Sequence, residues 1–144
     1  MPLAEASTES RAWCFEELRE GQEFGLGEIF DADAFESFAR LSGDYSPLHT
    51  SATDAMRLGF PDRVVYGFHC LALLSRLVAV YFHDAICVSV EADFTTPAFL
   101  GDRIELTAQI NKLQASMRTA TLKIRMLRND CPVIRGKLTI KFLP

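Results

Sequence analysis

The chain has 144 residues, 49% hydrophobic and 24% charged, the make-up of one globular domain rather than of a disordered segment. Folding at that length can bury roughly two-thirds of the unfolded surface. A net charge of −4, with no Lys/Arg run and no basic aromatic stripe, argues against a nucleic-acid partner.

Residues 1–12 are mostly small, polar or acidic, with no basic start and no apolar run, and read as a flexible tail of a cytoplasmic protein. A single domain is expected over 13–144. Asp31 is placed as the N-cap of a helix over Ala32–Leu41, where Phe35, Phe38, Ala39 and Leu41 recur at helical spacing. A turn-rich octapeptide follows, Ser42-Gly43-Asp44-Tyr45-Ser46-Pro47-Leu48-His49. Thr50 or Ser51 then caps a short helix that runs through Met56 and stops near Gly59. From Gly67 to about Phe82 nearly every face is apolar, which predicts a buried helix. That segment is too short, and with His69, Ser75 and Arg76 too polar, to span a membrane.

The remainder alternates with period two. Ile86, Val88, Val90, Ala92 and Phe94 are interleaved with polar residues, as are Leu106, Ala108 and Ile110. The pattern returns at Ala120, Leu122, Ile124 and Met126, and at Ile134, Leu138, Ile140 and Phe142. Pro97 with Gly101-Asp102, Gln114-Ala115-Ser116, and Asn129-Asp130 with Pro132 mark the turns between these segments. An antiparallel sheet with one face buried is predicted. An α+β fold follows, the antiparallel sheet wrapped around the buried apolar helix. The four cysteines, Cys14, Cys70, Cys87 and Cys131, are widely separated and read as free thiols.

The octapeptide carries the candidate chemistry. Asp44 and His49 stand five positions apart on a loop restrained by Gly43 and Pro47. A carboxylate and an imidazole that share one water form a general acid/base pair suited to adding water to a carbon–carbon double bond, or to removing it. The same residues would also serve as a turn cap and a packed imidazole. Ser75, inside so apolar a helix, needs a partner, which its own helix carbonyl could supply. His69 reads as a core or interface histidine, and His83 as a cap at the helix end.

In order and spacing, the octapeptide with Phe38-Ala39-Arg40-Leu41 before it and Thr50–Met56 after it resembles the MaoC-like dehydratases and (R)-specific enoyl-CoA hydratases of the hot-dog fold. Gly59-Phe60, Val64-Val65-Tyr66-Gly67, Leu71–Leu77 and the later Phe94–Asp102 extend the likeness, which runs from about Phe15 to the C-terminus. It implies a hydro-lyase acting on a 2-enoyl or (R)-3-hydroxyacyl thioester, with Asp44 and His49 holding the catalytic water. The backbone N–H of Gly67 becomes the oxyanion donor, although a simple helix entry would use the same glycine. Ser75 matches a serine that orients the catalytic Asp. The family usually has Asn where this chain has Ser46, and often His where it has Tyr66. Both are carried as positions that place water or substrate.

The implied substrate is an acyl thioester on coenzyme A or on a carrier protein's phosphopantetheine arm. No metal cluster, Gly-rich phosphate loop or nicotinamide fingerprint is present, so no separate cofactor is expected. A homodimer with the acyl tunnel at its interface is expected, because one such unit leaves a sheet edge open. Thioesterases of this fold place a carboxylate on the central helix, and Leu71–Phe82 contains neither Asp nor Glu. A non-catalytic acyl-thioester-binding dimer is the other alternative.

Overall fold

A computed structural model describes residues 11–144. Of the tail expected over residues 1–12, the part up to residue 10 lies outside the described residues. The elements in chain order are β1 (Glu23–Ile29), α1 (Ala32–Ser42), α2 (Pro47–Thr50), α3 (Ala52–Arg57), α4 (Gly67–Tyr81), β2 (Ala85–Phe94), β3 (Arg103–Gln114), β4 (Thr119–Arg128) and β5 (Cys131–Phe142). The strands form one antiparallel sheet in the order β1-β3-β4-β5-β2, with α4 packed against it in the hot-dog arrangement.

The alternating pattern builds this sheet directly. Leu106, Ala108 and Ile110 of β3 stand opposite Met126, Ile124 and Leu122 of β4, and all six are buried. Leu122 and Ala120 in turn face Leu138 and Ile140 of β5. Against this layer α4 sets Cys70, Leu73, Leu74 and Leu77. Each of those leucines gains about 1.5–3 kcal/mol by leaving water. The opposite side of α4, with Phe68, Ala72, Ser75, Arg76 and Ala79, is exposed, so the helix is buried on one face and not all round. No helix among the described residues is long and apolar enough to cross a membrane.

Two features of the sheet differ from expectation. β1 has no counterpart in the periodicity, because its core residues Phe24 and Leu26 alternate with Gly25 and Gly27, and glycine weakens a strand signal. The second is at β2, whose apolar residues do not form one buried face. It is an edge strand, and Ile86, Val88, Val90 and Phe94 are all exposed. A bulge between Cys87 and Ser89 also shifts the phase. Val90 stands opposite Leu138 on the core face, whereas Ile86 stands opposite Lys141 on the solvent face.

The caps that frame the site are as the side chains dictate. Asp31 accepts from the N–H of Ala34 at the start of α1, and Ser51 accepts from that of Asp54 at the start of α3.

Candidate active site

The helix α1 ends where Gly43 adopts φ 73° and donates its N–H to Ala39 O. This left-handed C-cap suits glycine and turns the chain toward Asp44. Ser42 Oγ then accepts the Asp44 N–H at 3.1 Å. Both the N–H and the hydroxyl of Ser46 donate to Asp44 Oδ1. That hydroxyl, and next the Ser46 N–H, hold the Asp44 carboxyl below its ordinary range, with a smaller contribution from His49.

Pro47 opens the single turn of α2, which carries His49. The imidazole Nδ1 lies 2.6 Å from Val64 O. A carbonyl can only accept, so Nδ1 carries the hydrogen and Nε2 of the neutral ring is left as an acceptor. Arg63 Nε donates to His49 O at 2.7 Å and holds the same turn from outside. His49 Nε2 is 3.9 Å from Asp44 Oδ2. That is too long for a direct hydrogen bond. It leaves both atoms able to reach one water oxygen at about 2.8 Å from each.

Tyr66 is 3% exposed and is the N-cap residue of α4. Its ring stacks on His49, with centroids 4.0 Å apart and planes 24° apart, and its hydroxyl donates to Asp44 O at 2.7 Å. Burial pushes its phenol up, with the Asp44 charge adding to the effect. Tyr66 therefore lies neither at a pocket mouth nor on an outer surface.

Gly67 is the first residue of α4, and hydrogen bonding into the helix begins only with the N–H groups of His69 and Cys70, both to Tyr66 O. The earliest N–H groups of a helix have no carbonyl of their own to reach. A Cβ at Gly67 would lie 2.6 Å from Cε1 of Phe94, so the close approach that requires glycine is made by this ring.

A cavity of about 410 Å³ opens here, with His49, Gly67, Cys70, Phe94, Ala98 and Val133 among its walls. Asp44, whose side chain is 41% exposed against 15% for His49, lies outside those walls. The Cys70 thiol is pushed up to about 12 by burial and is an inert part of the lining.

The structure thus brings together Asp44, Ser46, His49, Tyr66 and Gly67, but not Ser75. Ser75 lies on the exposed side of α4, in a groove of about 490 Å³ against β2 shared with Leu71, Val78 and Val90. It lies on the same side of α4 as Phe68, which lines the cavity, but two turns further along the helix axis. Among the described residues it makes no hydrogen bond to Asp44. His69 is likewise away from the cavity, stacked against Phe38 and edge-on to Phe30, with burial pushing its titration down. His83 pairs with Asp84 rather than with a helix carbonyl. Sequence reading missed the two groups that hold His49, Val64 O and Arg63. The first is a main-chain atom, and the second stands in no recognisable motif.

Comparison with known proteins identifies the family and the fold. The profile of the MaoC-like domain matches residues 19–128. A 3-hydroxybutyryl-CoA dehydratase of Methylorubrum extorquens is 29% identical over 139 residues, which cover 92% of this chain and 86% of that protein. The mitochondrial 3-hydroxyacyl-[acyl-carrier-protein] dehydratase of Arabidopsis thaliana is 26% identical over 126 residues, covering 85% and 76%. The solved (R)-hydratase from A. caviae superposes with a TM-score of 0.85 at 26% identity, over 89% of this chain and 99% of that one. On a profile match that spans more than half of its length, the chain belongs to the MaoC-like domain family.

Proposed function

We propose that the protein is a hydro-lyase that interconverts a 2-enoyl thioester and the (R)-3-hydroxyacyl thioester. The observation that carries this reading is the gap of 3.9 Å between His49 Nε2 and Asp44 Oδ2, with the tautomer of His49 set by Val64 O. Two acceptors face one water position. In hydration His49 Nε2 takes a proton from the water as its oxygen bonds to C3, while Asp44 accepts from the same water and orients it. Charge moves to the thioester oxygen, where the Gly67 N–H donates. The proton held by the pair then passes to C2, so one water is added in all. Dehydration runs the same steps in reverse. Ser46 acts on the water only through Asp44.

The thioester carrier is coenzyme A or phosphopantetheine, and is part of the substrate; no further cofactor is needed for this proton chemistry. Names among the relatives include both CoA and carrier-protein substrates. A second copy of the chain covers the exposed edge of β2 and the groove beside Ser75, completing the acyl tunnel. The apolar residues Val88 and Val90, exposed on an edge strand, support that arrangement. Turnover of crotonyl-CoA followed by chiral chromatography tests the reading. Accumulation of the (R)-3-hydroxy product supports it, and an (S) product or free acid contradicts it.

A further inference from the structure

We infer that Tyr66 is the positioning residue that sets the Asp44–His49 water site, acting on both residues at once. The inference rests on the hydratase reading above and concerns how that same site is held. Asp44 lies on a loop whose other hydrogen bonds are local. Among the described residues, the bond from Tyr66 Oη to Asp44 O is the only hydrogen bond that ties residues 44–46 to anything outside 42–50. Without it, the carboxylate would be placed only by its own turn, at the end of α1.

The second contact fixes the imidazole. The Val64 carbonyl anchors one ring nitrogen. Tyr66, stacked on the ring at 4.0 Å, fixes its plane and so aims Nε2 at Asp44. Tyr66 can do this because it is itself immobile. Phe35 and Phe38 of α1 pack on it, with centroids 5.9 and 4.9 Å away, and its main chain begins α4. The next residue in the chain is Gly67. One buried phenol thus sets the distance between the acid/base pair and the helix end that faces the thioester oxygen. Tyr66 does not line the cavity, so it acts through its neighbours and not on the substrate.

Steady-state kinetics on crotonyl-CoA with Tyr66→Phe and Tyr66→Leu, beside thermal melts, test this. Tyr66→Phe keeps the stack and loses the anchor to Asp44. Its kcat is expected to fall about tenfold with KM and Tm close to wild type, because misplacing a reacting group by a fraction of an ångström slows chemistry without weakening binding. Tyr66→Leu loses both contacts and is expected to fall about a hundredfold, so that Phe rescues part of the loss. A Tyr66→Phe enzyme with wild-type kcat overturns the inference, whatever becomes of the Leu variant. A loss in kcat matched by an equal rise in KM also overturns it, since that would be a binding role. A wild-type protein without turnover overturns the hydratase reading itself, and this inference with it.

Discussion

The ring of Phe94 lies against the Cα of Gly67 so closely that a Cβ there would be 2.6 Å from Phe94 Cε1. Phe94 ends the edge strand β2 and Gly67 begins α4, so this contact joins the sheet edge to the helix terminus beside the cavity. Gly67→Ala must therefore displace the ring, which is itself a wall of the cavity. We expect kcat/KM to fall about tenfold with little change in Tm, because the ring is half-exposed and can move. Unchanged kinetics would mean that the ring yields away from the substrate path.

Ser46 controls the charge on Asp44. Its hydroxyl and N–H hold the carboxyl below the ordinary value of 3.8, so Asp44 stays ionised into acid. Ser46→Ala removes the hydroxyl and raises the carboxyl. An NMR titration followed at the Asp44 carboxyl carbon reads the shift directly, with the variant protonating at higher pH than wild type. The stability contribution has the same sign logic. A depressed carboxyl stabilises the fold in full above its unfolded titration and loses that effect as pH falls through its lower folded-state value, so wild type and variant should differ most in urea near neutral pH and converge only well below about pH 4.

In the proposed step His49 supplies the acceptor nitrogen. His49→Ala should lower kcat by about two to four orders of magnitude while the chain still folds. Circular dichroism would verify the fold, and an active variant would reduce the imidazole to a packing role.

In the proposed dimer the edge of β2 is the contact surface. Val90 faces the groove beside α4 and is exposed in the single chain. Val90→Lys would place a charge in that groove. Sedimentation velocity should show a dimer for wild type and a monomer for the variant, and a monomeric wild type would contradict the proposed tunnel.

Leu77 is fully buried between α4 and the sheet. Leu77→Ala should cost about 2–5 kcal/mol in equilibrium urea unfolding, according to how far the core collapses around the void.

Helices α1 and α3 were legible because Asp31 and Ser51 announce them, and strands β3 to β5 because their alternation is unbroken over the buried pairs. β1 was hidden by Gly25 and Gly27. The Cys87/Ser89 bulge of β2 defeats a simple count of alternate residues, and its edge position leaves exposed a face that periodicity assigns to the core. At the site, Asp44 and His49 were legible as a pair because they are neighbours in the chain. What holds them was not. The Tyr66 hydroxyl reaches a main-chain oxygen 22 residues away, and His49 leans on another, 15 residues away. Bonds to carbonyls leave no mark on residue type. Ser75 was carried to the site by the resemblance, and it stands two turns further along α4, in the groove against β2.

The most direct test of the central claim is the decay of the enoyl-thioester absorbance with crotonyl-CoA and with a longer 2-enoyl-CoA, wild type against Asp44→Asn. The account predicts decay with at least one substrate in wild type and its near-complete loss in Asp44→Asn, whose neutral amide can turn an N–H toward the water and no longer holds it as the carboxylate does. An Asp44→Asn protein as active as wild type would contradict the assignment of Asp44 to the catalytic water, and no decay with either substrate in wild type would contradict the proposed hydration of 2-enoyl-CoA.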